Sequence, residues 1–308
     1  MQEIFDTIIV GGGPGGYTAA LYCARAGLST LVVEMMTPGG QMATTEIIDN
    51  YPGFDEGIDG IELGDRMRKG AERFGARTQY AEVTGLDLEA QPKRVATTAG
   101  ELLARTVILA TGASPRELGL PEEAGYRGRG VTYCATCDGM FYRGKTVAVA
   151  GGGNSAVEDA LVLSKLCKKV YVVHRRDTLR ASRASAAPLE KADNVEFLWN
   201  KRITALHGEK KIERLTLTDT KTGEESSLPV EGLFVAVGRV PNTALVKGKI
   251  ELDEQGYIKA DETTRTSLPG VYAVGDVRTK PLRQVATAVA DGAVASKYVE
   301  EYTASLDV

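Results

Sequence analysis

Histidine, cysteine and tryptophan are scarce in this chain, which has two, four and one of them among 308 residues. A tetrahedral zinc site takes about four Cys, His or carboxylate ligands, and such a set would have to be assembled here from scattered residues. Cys23 and Cys167 lie singly among apolar residues of predicted helices, and we interpret them as core thiols. The sequence therefore predicts no metal centre.

Long apolar runs and an excess of positive charge are also lacking. No stretch approaches the roughly 18 to 20 apolar residues of a membrane helix, and residues 1–13 lack the cationic start and apolar core of a signal peptide. The net charge is -4, whereas nucleic-acid-binding proteins are usually basic. We expect a cytoplasmic protein that binds neither membrane nor nucleic acid. In that reducing compartment a cysteine pair is more often metal-binding or catalytic than structural.

Glycine, in contrast, is abundant, and a cluster of it opens the chain. An apolar run at 7–10 predicts a strand, Gly11, Gly13 and Gly16 form G-x-G-x-x-G, and an Ala-rich helix follows. A second apolar run ends in Glu34, eighteen residues after Gly16. Such glycines allow a tight turn and the close approach of a pyrophosphate to a helix N-terminus, and the acid binds ribose hydroxyls. A Gly-rich turn without a ligand is the alternative, but it does not explain why strand, turn, helix and acid agree.

A second fingerprint repeats the first at an offset of 140 residues. Gly151, Gly153 and Ala156 give G-x-G-x-x-A between a predicted strand and helix, which indicates a duplicated architecture. Where the first site has an acid, the second has basic residues, namely His174, Arg175, Arg176 and Arg180. Guanidinium groups suit a 2′-phosphate; the alternative is a solvated charge run. The first site is predicted to bind an adenosine with free ribose hydroxyls, such as FAD, and the second NADPH.

Two further predicted strands end in turns typical of a flavin site. One runs into Thr111 and Gly112, and the other into Gly275 and Asp276, which could offer a carboxylate and a backbone N–H to a ribityl chain. With the first fingerprint they indicate one FAD domain that is split in sequence. We predict an α/β fold of two Rossmann-like, three-layer domains, with the NADPH domain inserted into the FAD domain. The predicted parts are residues 1–116 (FAD), 117–242 (NADPH, with the cysteine pair) and 243–308 (FAD).

Cys134 and Cys137 form a Cys-x-x-Cys pair directly before Asp138 and a glycine. Zinc lacks further ligands here, and a structural disulfide would close so short a loop that it adds little stability. A redox dithiol beside a flavin and a reduced nicotinamide accepts two electrons and passes them on by thiol–disulfide exchange. Asp138 could carry the accompanying proton if burial raised its pKa, although Asp-Gly is also a common turn dipeptide.

Over nearly its whole length the sequence resembles the bacterial-type, low-molecular-weight thioredoxin reductases. The segments that carry the resemblance are GGGPGG at 11–16, PGGQ at 38–41, IDNYPG at 48–53, ATGASPR at 110–116, CATCDG at 134–139, GGGNSA at 151–156, HRRD at 174–177, GDV at 275–277 and LRQ at 282–284. CATCDG together with HRRDxxR is far more specific than either fingerprint.

The resemblance implies a full set of site residues. The redox disulfide would be Cys134–Cys137, with Asp138 as the acid. FAD would be bound by Gly11, Gly13, Pro14, Gly15, Gly16, Glu34, Gly40, Gln41, Asn50, Thr111, Gly112, Gly275, Asp276, Arg283, Gln284, Val285 and Ala286. NADPH would be bound by Gly151, Gly153, Asn154, Ser155, Ala156, His174, Arg175, Arg176 and Arg180.

The resemblance also implies a homodimer that reduces thioredoxin and whose NADPH domain rotates between half-reactions. The sequence agrees, because the cysteine pair and the second fingerprint lie on one inserted domain and both must reach the flavin on the other. Residues 113–118 and 239–244 are the predicted hinges.

Three alternative functions belong to relatives of the same fold. These relatives use ferredoxin, serve a peroxide-reducing system with an additional N-terminal domain, or pass electrons from dithiols to oxygen. A non-catalytic FAD-binding or redox-sensing protein belongs to another class. The second fingerprint and the arginines disfavour the ferredoxin-dependent relatives, and the arginines also disfavour the oxygen-coupled ones. We do not expect the additional N-terminal domain of the peroxide-reducing system before Ile8. Both cysteines, Asp138 and the complete NADPH fingerprint disfavour a non-catalytic protein.

Overall fold

The computed structural model describes residues 2–45 and 47–306, apart from the side chains of 184 and 185. The chain forms two compact units. One comprises the residues up to 114 together with those from 240 onward, and the other comprises residues 115 to 239. The boundaries predicted from the sequence, after residues 116 and 242, lie two and three residues beyond the boundaries of these units, which follow residues 114 and 239.

The strands are, in chain order, β1 Ile4–Val10, β2 Thr30–Glu34, β3 Arg77–Tyr80, β4 Val83–Asp87, β5 Lys93–Thr97, β6 Gly100–Leu109, β7 Ala113–Pro115, β8 Val131–Thr132, β9 Thr146–Ala150, β10 Lys169–His174, β11 Val195–Trp199, β12 Lys201–His207, β13 Arg214–Asp219, β14 Glu225–Pro229, β15 Gly232–Val235, β16 Arg239–Pro241 and β17 Val271–Ala273. The helices are α1 Pro14–Arg25, α2 Gly60–Glu72, α3 Glu123–Tyr126, α4 Ala135–Asp138, α5 Asn154–Ser164, α6 Arg183–Glu190 and α7 Val285–Leu306.

The first unit is built on a seven-stranded sheet in the order β3-β2-β1-β6-β5-β4, with β17 also paired to β6. Pairing among β3, β2, β1, β6 and β17 is parallel, whereas β4 and β5 join antiparallel. Alternate side chains of β1 face opposite sides of the sheet, as the strand period requires: Ile8 and Val10 belong to one apolar core and Ile9 to the other. Helices α1 and α7 cover the side of Ile9.

Helices α1 and α7 pack closely because glycine lies where they meet. A Cβ at Gly292, in α7, would overlap the carbonyl oxygen of Gly15 and lie 2.8 Å from the backbone nitrogen of Ala19, both in α1. This contact fixes α7 directly against the first glycine-rich turn.

The second unit repeats the plan with a five-stranded parallel sheet, β11-β10-β9-β15-β8. On one side, helix α5 packs its buried Ala156, Val157, Ala160 and Leu163 against Val147 and Val149 of β9. On the other side, Ala148 and Ala150 of β9 share a core with the antiparallel sheet β12-β13-β14. Strands β7 and β16 pair with each other at the two places where the chain passes between the units.

The α/β class and the two Rossmann-like domains predicted from the sequence are confirmed. Among the residues that the structure describes, no helix has the length and apolar character needed to cross a membrane.

Candidate redox and nucleotide sites

The cysteine pair forms a disulfide at the start of helix α4. The Cα atoms of Cys134 and Cys137 lie 5.3 Å apart, and both residues are half-buried. Cys134 is the N-cap residue, and its Sγ accepts a hydrogen bond from the backbone N–H of Cys137 at 3.2 Å. The preceding strand β8 pairs with β15, so the disulfide is attached to the edge of the parallel sheet of the second unit.

Asp138 follows the disulfide and is also half-buried. Burial raises the pKa of its carboxyl, and the hydrogen bond with the Thr132 hydroxyl partly offsets this shift. A carboxyl that holds its proton to higher pH can deliver it to a departing thiolate. The environment therefore suits the proton-carrying role that the sequence predicts for Asp138.

The first fingerprint forms the expected turn. Gly11 has φ of +106°, and a Cβ at Gly16 would overlap the carbonyl oxygen of Gly11, so both glycines are required by the fold. Gly13 differs, because its φ of -77° suits any residue and a Cβ there would meet nothing within 4 Å. Open space over this residue, at the N-terminus of α1, leaves room for a phosphate group.

Glu34 closes the same turn from the end of β2. Its carboxylate is buried and accepts hydrogen bonds from the backbone N–H groups of Gly12, at 2.7 Å, and Met36, at 3.0 Å. The acid therefore lies against the glycine-rich turn, where a ribose would be bound.

The other predicted FAD residues lie in the same unit, and several contact one another. A Cβ at Gly40 would lie 3.5 Å from the Cα of Gly13. Asn50 donates to Gln284 at 3.1 Å, although the two are 234 residues apart in sequence. Arg283 donates to the carbonyl oxygen of Asp276 at 3.3 Å.

Three further contacts involve residues of this group. Gln41 donates to the carbonyl oxygen of Ala113, and the Thr111 hydroxyl donates to that of Asn242 at 2.8 Å. A Cβ at Gly15 would lie 3.6 Å from the nitrogen of Gly275. Pro14 is the first residue of α1, Val285 and Ala286 begin α7, and Gly112 has φ of +70°. The predicted residues fit a dinucleotide held against the first fingerprint.

The second fingerprint has the same construction as the first. Gly153 has φ of -94°, and a Cβ there would find only an Arg180 nitrogen, at 3.9 Å. The carbonyl oxygen of Gly152 accepts the backbone N–H of Arg180 at 2.7 Å, and Asn154 accepts that of Ser182 at 3.1 Å. The arginine segment is thereby tied to the glycine turn. Ser155 is exposed and Ala156 is buried in the first turn of α5.

His174 and the arginines occupy different places. Arg175, Arg176 and Arg180 are exposed, whereas His174 is 5% exposed and lies beneath Gly152, where a Cβ would overlap its ring. Burial and, to a lesser extent, the three guanidinium groups lower the pKa of His174. The histidine is therefore a neutral support under the turn, and the arginines alone form the cationic group.

The structure adds residues for which no motif gives a signal. Asp159 of α5 accepts a hydrogen bond from the backbone N–H of Ala135, next to the disulfide, and burial raises its pKa to about 6. Asn242 donates to the carbonyl oxygen of Thr111 at 2.8 Å and accepts from Ser114 at 3.1 Å. Asp291 forms buried ion pairs beside Gly275. Their contacts join distant parts of the chain, so local sequence patterns do not reveal them.

Two dinucleotide-binding turns and a Cys-x-x-Cys disulfide define a nucleotide-dependent disulfide oxidoreductase. Comparison with known proteins makes this specific: the family model for pyridine nucleotide-disulphide oxidoreductases matches residues 5–292, and the chain belongs to that family. The cofactors of its thioredoxin reductase branch are FAD and NADPH, as the sequence predicts.

Curated relatives place the chain among the bacterial-type thioredoxin reductases of this family. It is 47% identical over 309 residues to a thioredoxin reductase of Streptomyces clavuligerus, covering 99% of this chain and 96% of that protein. The identity to a thioredoxin reductase of Bacillus subtilis is 44% over 306 residues, with 99% and 96% covered. In structure it is similar to a thioredoxin reductase of Streptococcus pyogenes, with a TM-score of 0.91, 43% identity, and 99% and 100% of the two chains covered.

Proposed function

We propose that the protein is an NADPH-dependent thioredoxin reductase (thioredoxin-disulfide reductase). Electrons pass from NADPH through FAD to the Cys134–Cys137 disulfide and then to the disulfide of thioredoxin. One observation carries the proposal: the second unit holds a formed Cys-x-x-Cys disulfide, a half-buried neighbouring carboxyl and an arginine-flanked dinucleotide turn. The thioredoxin reductases named above match the chain over nearly its full length.

Each cofactor has a distinct set of residues to hold it. Bound FAD supplies the two-electron exchange between a nicotinamide and a disulfide. The glycine turn at 11–16, with Glu34 and the 275–276 turn, would bind it in the first unit, supported by Asn50 and Gln284. Arg175, Arg176 and Arg180 would hold the 2′-phosphate of NADPH through charge-assisted hydrogen bonds, which favours NADPH over NADH.

The disulfide performs the final transfer. Two electrons and two protons convert the Cys134–Cys137 bond into two thiols. One of them attacks the disulfide of thioredoxin as a thiolate and forms a mixed disulfide; the other then displaces the thioredoxin sulfur, so that the pair is oxidised again and thioredoxin leaves as a dithiol. Asp138 gives its proton to the thiolate that leaves when the bond opens, and regains one when the bond reforms. The raised pKa of its carboxyl suits both steps.

Rotation of the inserted unit would let two groups on that unit, the disulfide and the NADPH turn, reach the same flavin in turn. The disulfide and the NADPH turn both belong to the contiguous unit of residues 115 to 239, and both exchange electrons with a flavin bound by the other unit. Motion about 113–118 and 239–244, which include the paired strands β7 and β16, would present them in turn. A covalent tether between the units should stop turnover and leave one half-reaction intact; full turnover of the tethered enzyme would contradict rotation.

Thioredoxin as the partner, a homodimer as the assembly and the cytoplasm as the location complete the proposal. The first rests on the named relatives. The second and the third follow from the resemblance to the bacterial-type thioredoxin reductases.

The decisive experiment mixes the FAD-loaded protein with NADPH and a thioredoxin without oxygen, and follows NADPH absorbance together with new thioredoxin thiols. We expect NADPH loss matched by thiols, much slower reaction with NADH, and none with Cys137→Ser.

The arginine assignment is tested by the double variant Arg175→Ala with Arg176→Ala. It should raise the KM for NADPH about tenfold or more but not the KM for NADH, and Arg202→Ala is the exposed control. Flavin reduction without new thiols would contradict thioredoxin as the partner, and a flavin that NADPH leaves oxidised would contradict the arginine assignment.

A further inference from the structure

A buried cluster of three charged side chains lies beside the predicted FAD site. Asp291 accepts from Arg278 at 2.8 Å and from Lys280 at 2.6 Å. The side chains of Arg278, Lys280 and Asp291 are only 6%, 5% and 11% exposed. We call these three residues the Asp291 cluster. Two cations share one carboxylate, so within the cluster the carboxylate is the only counter-charge.

The Asp291 cluster holds the turn that carries Asp276. The second carboxylate oxygen of Asp291 accepts the backbone N–H of Gly275 at 2.8 Å, and Gly275 has φ of +73°. Arg278 donates to the carbonyl oxygens of Ala260, at 3.1 Å, and Asp261, at 2.7 Å. The start of the turn is therefore tied to α7, and its end is tied to the segment around residue 260.

Helix α7 connects this turn to the first fingerprint. Asp291 precedes Gly292, which packs against the backbone of Gly15 and Ala19 in α1. Gly15 in turn lies beside the nitrogen of Gly275. Asp291 thus stands where the glycine-rich turn, the 275–277 turn and α7 meet, so its hydrogen bonds set the position of Asp276 relative to the phosphate-binding turn.

We propose that Asp291, braced by Arg278 and Lys280, is a positioning residue for FAD: it fixes the Gly275–Asp276 turn in the shape that binds the cofactor. The proposal rests on the proposed function, since FAD is the cofactor assigned there. Its consequence is specific, because replacing the carboxylate leaves both buried cations without the carboxylate that they share. Breaking such a pair is far more harmful than losing an exposed one.

The test measures FAD binding to apoprotein, by the quenching of FAD fluorescence, for Asp291→Asn and wild type. The asparagine keeps the shape and an oxygen for Gly275 but removes the charge. We expect the Kd for FAD to rise at least tenfold and the visible circular dichroism of bound flavin to change. Glu301→Gln is the matched control, because Glu301 also lies on α7 and pairs with Arg265 and Lys297 at exposed positions. Its Kd should stay within twofold of wild type.

A rescue variant separates positioning from general damage. Adding Lys280→Met to Asp291→Asn removes one of the two uncompensated cations and should recover part of the lost affinity. Circular dichroism of the apoproteins reports folding. If Asp291→Asn fails to fold, Lys280→Met alone decides: it should weaken FAD binding several-fold, while Lys297→Met on the exposed face does not.

Wild-type FAD affinity in Asp291→Asn, or in Lys280→Met where that variant decides, would overturn the proposal. An equal loss in the exposed control would overturn it too. The proposed function fails differently, because a wild-type protein that binds FAD but does not reduce thioredoxin would refute the activity and leave the affinities unaffected.

Discussion

The proton transfer proposed for Asp138 depends directly on the burial of its side chain, because burial raises the pKa of the carboxyl. Asparagine at this position keeps the size and the contact with Thr132 but carries no exchangeable acid proton. General acid–base catalysis contributes about 10²- to 10⁴-fold to rate, so Asp138→Asn should lower kcat for thioredoxin reduction by about 100-fold or more. Anaerobic reduction of the flavin by NADPH should proceed as in wild type.

The control for this substitution is Asp193→Asn, in the same unit and away from the disulfide in sequence. Its kcat should stay within twofold of wild type. A variant at Asp138 that retains full turnover would show that the proton comes from another group. Asp159 is then the candidate, because its pKa is raised to about 6 and it accepts the backbone N–H of Ala135 at the start of helix α4.

Lys93 illustrates a titratable residue whose burial affects stability. Its side chain is 1% exposed, and Nζ donates to the carbonyl oxygen of Leu88 at 2.8 Å. Burial lowers its pKa, so between the folded and unfolded pKa values the unfolded chain binds more protons. The free energy of unfolding contributed by this site therefore rises with pH through that window, up to the unfolded value of about 10.4.

Lys93→Met should remove this pH dependence. Urea unfolding of the apoprotein at a series of pH values should show wild type gaining stability relative to the variant as pH rises towards the unfolded pKa of lysine. Lys297→Met, at an exposed position, should follow wild type at every pH. A constant difference between Lys93→Met and wild type across the series would contradict the assignment.

The sequence identifies residues whose role is set locally. Cys134, Cys137 and the fingerprint glycines are recognisable because the chemistry or the turn needs that residue type at a fixed spacing. Lys93 and Asp291 are not, because their burial depends on strands and helices far away in sequence. The sequence groups His174 with the arginines, but it ends strand β10 with its side chain directed under Gly152, while the exposed loop begins one residue later.

At the scale of elements, the two strand–turn–helix units offer a paired test. Gly13 and Gly153 have ordinary φ values and open space above them, so neither the backbone nor packing requires glycine there. Only a ligand does. Gly13→Val should therefore leave the apoprotein folded, with a melting temperature close to that of wild type, and abolish measurable FAD binding. Gly153→Val should retain FAD and lose binding of 2′,5′-ADP.

Gly16→Val is the contrasting variant, because a Cβ at this position overlaps the carbonyl oxygen of Gly11. It should lower the melting temperature of the apoprotein itself. Calorimetry of the apoproteins and titration with each ligand give the comparison. Retention of FAD by Gly13→Val would mean that the cofactor does not approach the first turn.

At the scale of the whole molecule, the repeat at an offset of 140 residues makes the split domain predictable from the sequence. Both glycine-rich turns lie between a predicted strand and a predicted helix. The sequence therefore predicts that a second copy of this architecture is inserted into the first. The antiparallel sheet β12-β13-β14 is not predicted, because nothing in its short strands distinguishes it from the strands of a parallel sheet. The places where the chain leaves and re-enters the first unit are predicted only to within two or three residues, since turn-rich segments there lack a periodic pattern.

The contiguous second unit supports a prediction about independent folding. Residues 115 to 239 have their own parallel sheet and two apolar cores, one on each side of it, and a domain of this size with its own core is expected to fold alone. Expressed by itself, it should show a cooperative thermal transition, form the Cys134–Cys137 disulfide and bind 2′,5′-ADP about as tightly as the full chain does. It should not consume NADPH with thioredoxin, because the residues proposed to bind FAD all lie in the other unit. The same fragment with Arg175→Ala and Arg176→Ala should fold equally well and bind 2′,5′-ADP about tenfold or more weakly. A fragment that melts without cooperativity would show that the inserted unit depends on the rest of the chain for its fold, and equal binding by the two fragments would remove the arginines from the nucleotide site.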